Sequence, residues 1–197
     1  MINSQILQNC MAGDESAIES LVRAHQRPVF QIALSVLDDT PSTRAIAPAA
    51  LEEAEKATRE TFVTALDRLN RYREDLPFDS WLYAIAVEVS RRRYRRWRIL
   101  RWLKKITGGA RPTFYNPAEP STLEAPSADL SDAALWKAVR VLPERLRLAV
   151  VLRYYHEMSV PEIARVLRVS EGAVHARLDA ARERIAKEPQ QALDHAG

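Results

Sequence analysis

Cysteine is almost missing from this chain. The single Cys10 excludes an intrachain disulfide and any zinc site built from several thiolates, and it fits a reducing compartment. Its expected role is that of a small apolar residue. Glycine is scarce as well, five residues in 197, so a glycine-rich phosphate loop has no material to form. Strand-like alternation does not occur, and no apolar run approaches the ~18 residues of a membrane span. The first residues, with polar Asn3, Ser4 and Gln5, lack the basic start and apolar stretch of a secretory signal. A cytoplasmic protein without membrane insertion is expected.

Chemistry-bearing clusters are thin too. His25, His156, His175 and His195 are scattered without metal-ligand spacing. Glu52, Glu53 and Glu55 share a helix and read as a partner-binding or solvated face rather than an acid/base pair. Neither catalysis nor a metal or cofactor is expected. The net charge of +3 is only mildly basic, so the placement of charge says more than its sum.

What is present is helical spacing, repeated along the chain, and it predicts an all-α fold. Ala17, Leu21, Ala24 and Val29 to Ile32 stripe a helix over Asp14–Leu37, with Asp14 as its N-cap. Residues 38–50 hold two prolines and small residues and predict a loop. A second helix is expected from about Leu51 to Asn70. A third begins near Phe78, with Phe78, Trp81, Leu82, Ile85 and Val89 on one face. Residues 107–130 contain four of the 11 prolines and two of the five glycines, the composition of an extended linker. Helices resume near Ser131, striped by Leu135, Val139, Leu142, Leu146, Val150 and Val151. The expected organisation is two small helical domains, 1–103 and 131–188, joined by the flexible linker 104–130 and followed by a disordered tail, 189–197.

Two patterns point to nucleic acid. Val160–Leu167 and Ser170–Lys187 form a helix-turn-helix pair around the turn Arg168-Val169. Ser159 caps the first helix and Glu162 follows three positions later. Val174, Leu178, Ala181 and Ile185 supply the inner stripe of the second. In such motifs the second helix enters the major groove with its N-terminal residues at base edges. The candidates are Ser170, Glu171, Gly172 and His175, with Glu171 able to accept from a cytosine amino group. Arg177 and Arg182 would meet phosphates. A plain helical hairpin with a solvated face has the same spacing, so this pattern alone leaves both readings open.

The other pattern is a charge block. Nine basic residues and no acidic one lie between Arg91 and Lys105, with Tyr94, Trp97 and Trp102 interleaved. At 100° per residue, Tyr83, Tyr94 and Trp97 fall away from the face of Phe78, Trp81 and Ile85. Aromatic rings beside Arg91, Arg92 and Arg95 suit backbone neutralisation with base stacking on an opened strand. A solvated basic face and a membrane-surface helix are the competing readings, and no long lipid-facing stripe accompanies the block.

These fragments, in their order and spacing, resemble the extracytoplasmic-function (ECF) sigma factors of the sigma-70 family. The residues that carry the resemblance are A-G-D-E-S-A at 12–17, E-A-E-K-A-T-R-E-T-F at 53–62 and F-D-S-W-L-Y-A-I-A at 78–86. In the second half they are L-P-E-R at 142–145, L-R-Y-Y at 152–155, M-S-V-P-E-I-A at 158–164 and V-S-E-G-A-V-H-A-R-L at 169–178. The resemblance implies a promoter-directing subunit that binds core RNA polymerase and promoter DNA and regulates transcription initiation. The helix around Glu53–Leu66 would dock on the clamp helices, through Glu53, Glu55, Arg59, Glu60, Phe62 and Val63. The loop Asp67–Asp79 would hold a flipped base of the minus-ten element, with Asn70, Arg71, Tyr72, Arg73 and Trp81. The helix Ser80–Arg98 would take the melted strand, and the helix-turn-helix would read the minus-thirty-five element. An anti-sigma factor often accompanies family members.

Some positions depart from the family pattern. Lys56 stands where an Asp is usual, and Ala57 and Thr58 where larger apolar residues are typical. Glu88 replaces a common Asn, and Asp179 lies where basic or bulky residues are frequent. They keep two alternatives in view: a sigma-like DNA-binding regulator that does not support initiation, and a helical protein-interaction adaptor.

Overall fold

A computed structural model describes residues 4–38, 46–73, 75–107 and 138–194, with side chains through residue 99 of the basic helix and residue 187 of the last helix. The 108–130 part of the expected linker, Leu135 and the side chain of Trp102 lie outside the described residues. Every regular element among the described residues is helical: α1 Ser4–Met11, α2 Glu15–Leu37, α3 Pro48–Arg68, α4 Phe78–Thr107, α5 Glu144–Val150, α6 Val160–Leu167 and α7 Glu171–Asp194. A 3-10 turn, Leu69–Arg71, closes α3, and a π turn, Val151–Tyr155, extends α5.

The N-terminal domain is built on α2, α3 and α4. Asp14 caps α2 by accepting from the Ala17 amide at 3.0 Å, after a turn that Gly13 makes at φ +81°. Pro48 begins α3, where its missing amide has no helical partner to lose. The inner stripe of α3 is small: Ala54, Ala57, Thr58, Thr61 and Ala65 are buried with Phe62. Such a stripe lets α3 lie close to α2 and α4. The two threonine hydroxyls are satisfied within the helix, Thr58 donating to the Ala54 carbonyl at 2.8 Å and Thr61 to Ala57 at 2.7 Å, so their burial leaves no open hydrogen bond. Ala57 and Thr58 are therefore core positions, and their difference from the family bears on packing rather than on docking. Helix α4 runs on to Thr107, into the first residues of the expected linker.

The helix-turn-helix pair of the C-terminal half forms where its spacing predicts, α6 at Val160–Leu167 and α7 from Glu171. Val174, Leu178 and Ala181 of α7 pack on Ile163 and Leu167 of α6, with Leu146, Val150 and Val151 beneath. The last helix continues through Pro189 to Asp194, where a disordered tail is expected. Helix α1 has no counterpart among the expected helices, and its Leu7 and Cys10 are buried in the core. Cys10 is thus the apolar filler that the sequence suggests.

The two domains pack on each other, sharing one contiguous core. Arg140 and Asp38 form a salt bridge at 2.7 Å with side chains only 7% and 2% exposed. Arg147, also buried, donates to the carbonyls of Ser35 at 2.7 Å, Asp38 at 2.6 Å and Arg140 at 2.7 Å. Its guanidinium thereby satisfies carbonyls that the C-terminus of α2 leaves open.

Candidate nucleic-acid and partner interfaces

The helix-turn-helix is fixed by local chemistry. The Glu162 carboxylate accepts from the Ser159 amide at 2.8 Å and from its hydroxyl at 2.5 Å. These bonds hold Glu162 below the usual carboxylate range. Arg168 makes the turn in a left-handed conformation, φ 54°, and the Val169 amide reaches back to the Ala164 carbonyl at 2.9 Å. Ser170 then caps α7, its Oγ accepting from the Ala173 amide at 3.2 Å.

Ser170, Glu171, Gly172 and His175 are all exposed at the start of α7, where base edges would be met. Arg182 is exposed on the face that also carries His175 and Asp179. It donates to the Asp179 carboxylate and to the Tyr154 hydroxyl, each at 3.0 Å. Asp179 is thus paired rather than bare. Tyr154 lies in the L-R-Y-Y stretch but is not among the expected site residues; it is 51% exposed, and its hydroxyl joins it to Arg182. Arg177 departs from its expected place. It is half-buried, with Nη1 enclosed and without a hydrogen bond among the described residues.

The loop before α4 leads into an aromatic cluster. Tyr72 lies against Phe78 and Trp81 with ring centroids 5.5 and 5.3 Å apart, and its hydroxyl donates to the Leu76 carbonyl at 2.6 Å. His25 supports the cluster from α2, edge-on to Phe78 and bonded to Asp79 at 2.9 Å. Burial acts to lower the His25 pKa, but the Asp79 carboxylate and the Leu21 carbonyl outweigh it, and the net shift is upward. Asn70, Arg71 and Arg73 are exposed around this rim, and Trp81 is half-buried.

Along α4 the arginines divide into two sets. Arg95, Arg96 and Arg98 are exposed. Tyr94 and Trp97 stand beside them with ring centroids 6.2 Å apart, and the Arg98 guanidinium sits 5.6 Å from the Tyr94 ring centre. Arg91, Arg92 and Arg93 are engaged: Arg91 with Glu144 of the C-terminal domain at 2.9 Å, Arg92 with Glu60 at 2.5 Å, and Arg93 with Glu53 at 2.9 Å and Glu60 at 2.8 Å.

Tyr83 corrects the helical-wheel expectation. It is 6% exposed, its ring centroid 5.1 Å from that of His156. The C-terminal domain covers the side of α4 that the wheel leaves open. Burial pushes the Tyr83 hydroxyl up and His156 down to about 4.

On α3, Arg59 and Val63 are exposed, Glu53, Glu55 and Glu60 are half-buried, and Phe62 is buried. Phe62 is a core residue and is not offered to a partner, contrary to its expected docking role. Lys56 bonds Glu52 at 2.5 Å and Glu53 at 3.3 Å. Glu88 lies 3.4 Å from Arg68 and 3.7 Å from Arg168 of the helix-turn-helix turn. Each unusual charge of the sequence therefore has a counter-charge within the fold.

A helix-turn-helix unit beside a unit with exposed arginines and half-buried rings, helical throughout the described residues, has the make-up of a two-domain DNA-binding protein. Two family models match the chain, "Sigma-70 region 2" over residues 21–99 and "Sigma-70, region 4" over residues 132–185. The RNA polymerase sigma-H factor of Pseudomonas aeruginosa is 26% identical, across 98% of this chain and 97% of its own. The ECF RNA polymerase sigma factor SigW of Bacillus subtilis is 25% identical, across 95% and 96%. Among solved structures, CnrH in complex with the cytosolic domain of CnrY superposes with a TM-score of 0.61, at 22% identity over 94% of this chain and 96% of that one. RpoE of Bartonella quintana, in complex with the anti-sigma factor NepR, gives 0.56, at 17% identity over 88% and 96%. The chain belongs to the sigma-70 family, among its ECF members.

Proposed function

We propose that this protein is the promoter-specificity subunit of RNA polymerase, with residues 1–103 as the domain that docks on core polymerase and opens the minus-ten region, and residues 131–188 as the reader of the minus-thirty-five element. It is not an enzyme; polymerase carries out the chemistry. The protein supplies binding energy and strand separation, and its place of action is the cytoplasm. Among the described residues no helix is long and apolar enough to cross a membrane.

The observation that carries this reading is the row of exposed Arg95, Arg96 and Arg98 on α4 with half-buried Tyr94 and Trp97 beside them, in one chain with a capped helix-turn-helix. Unstacking a base step costs a few kcal/mol, and stacking on a protein ring returns ~1–3 kcal/mol per base. Two or three captured bases, with arginines on the adjoining phosphates, offset a local opening. The rim of Tyr72, Trp81, Asn70, Arg71 and Arg73 is assigned to the minus-ten base, and Glu171, His175 and Arg182 to the minus-thirty-five duplex. Arg59 and Val63 are the exposed docking residues of α3. CnrH was solved with the cytosolic domain of CnrY, and RpoE with the anti-sigma factor NepR; an anti-sigma partner is proposed for this chain as well.

Reconstitution tests the assignment. Core polymerase with this protein should start run-off transcripts at defined sites on genomic fragments, and neither component alone should. Absence of a complex with core would refute it.

A further inference from the structure

The exposed arginines of α4 and the engaged ones differ in what they can offer to DNA. Arg93 forks between two carboxylates of α3, Glu53 and Glu60, and Arg92 shares Glu60. The four side chains are between 20% and 42% exposed, so the cluster is neither sealed in the core nor loose on the surface. Half-exposed pairs of this kind are individually weak and screened by salt, so a competing charge can displace one partner. Glu53 and Glu60 are seven residues apart on α3, two turns along one face. Next to that face lie Arg59 and Val63, the latter 59% exposed. The proposed docking helix and the proposed DNA helix are thus joined by shared ion pairs.

We infer that Glu53 and Glu60 are positioning residues that withhold Arg92 and Arg93 from DNA phosphates in the free protein, and that a partner surface bringing its own cations to α3 competes for the two carboxylates and releases both arginines. The inference rests on the reading that α3 docks on polymerase. Its physical basis is charge exchange. A carboxylate that turns to a partner's cation leaves the facing guanidinium uncompensated, and a guanidinium in that state is stabilised by a phosphate through charge-assisted, two-pronged bonds. The coupling is reciprocal: whatever frees the arginines for DNA must equally be aided by DNA, and whatever removes the arginines must free the carboxylates for the partner. Lys56 stays with Glu52 and Glu53 on α3 itself and does not reach α4, so Glu52 provides an internal control of equal charge.

The test uses the full chain without polymerase and a fluorescent fork of duplex DNA with a single-stranded overhang. Anisotropy is followed across a range of KCl. Glu60→Gln is expected to bind roughly fivefold or more tightly at low salt, with a salt slope steeper by about 0.7 to 0.9 for each additional phosphate neutralised. Glu53→Gln should move the same way, and it carries the test if Glu60→Gln loses its cooperative melting. Glu52→Gln removes the same charge from α3 and should leave the slope unchanged. Equal tightening by Glu60→Gln and Glu52→Gln would show net charge alone at work and overturn the inference. A second arm measures core polymerase. Arg93→Gln should compete better than the wild-type chain for core, and unchanged or weaker competition overturns the handover. A wild-type chain that ignores core defeats the docking reading instead, while the DNA arm still decides whether the carboxylates withhold the arginines.

Discussion

His25 and His156 both sit near Asp79 and are shifted in opposite directions. Burial drives His156 down to about 4, so the folded protein prefers its neutral ring. That preference stabilises the fold fully above the ordinary histidine value of ~6.5 and is lost as pH falls from there toward 4. His25 is shifted upward, because bonds to Asp79 and the Leu21 carbonyl outweigh its burial. Its contribution is complete below ~6.5 and fades as pH rises through the elevated folded value. Thermal unfolding against pH should therefore separate the two. His156→Phe, which keeps a ring against Tyr83, should flatten the acid-side loss between about pH 6.5 and 4, by at most ~3 kcal/mol. His25→Phe should leave that limb in place and reduce stability chiefly at and below neutrality. A wild-type chain with no acid-side loss in that window would contradict the His156 assignment.

Among the helices, α3 shows why small residues matter. Ala57 is fully buried between helices, so Ala57→Leu should overpack the bundle and cost ~1–3 kcal/mol in denaturant unfolding. If position 57 faced a partner instead, the same change would leave stability alone and alter docking only. Most helices are legible in the sequence because their stripes are long and regular. α2, α4, α6 and the start of α7 fall where the periodicity places them, and Asp14, Ser159 and Ser170 cap as residues of their kinds do. Helix α1 is not legible, since its eight residues lack a start signal such as Ser159 with Glu162, which marks the equally short α6. Tyr83 escapes the pattern for a different reason. A helical wheel assigns faces within one helix, and Tyr83 is covered by a residue 73 positions away, His156. Phe62 lies one residue from exposed Val63, and the docking helix implied over Glu53–Leu66 gives both the same expected role; only packing tells them apart. Lys56 with Glu52 and Asp179 with Arg182 are neighbours at helical spacing, but the Glu88 pairings are products of the fold, and no spacing rule brings Arg168 to Glu88.

For the molecule as a whole, the joined domains rest on a buried arginine pair. Arg147 binds carbonyls of α2 and of its own domain, and Arg140 meets Asp38. Removing one member of a buried pair costs ~3–5 kcal/mol because the other is left in a poor solvent. Asp38→Ala is accordingly expected to lower stability by about that amount and to loosen the domain contact, which a larger radius of gyration in small-angle scattering would register. Unchanged stability and size would mean that the contact contributes little. The closed arrangement also covers Tyr83 and ties Arg91 to Glu144, and it leaves Arg95, Arg96 and Arg98 exposed beside half-buried Tyr94 and Trp97, the open strip of the proposed DNA surface.

Through this open strip on α4, the chain and core polymerase together should open a promoter. Permanganate footprinting of unpaired thymines, on a promoter bound by core polymerase and this protein, reads that opening base by base. The wild-type chain should expose thymines in the minus-ten region, and the double substitution Arg95→Ala with Arg96→Ala should reduce the signal at least tenfold while its binding to core is retained. Melting that is undiminished in the double variant, or absent with the wild-type chain bound to core, would mean that the strip does not open DNA.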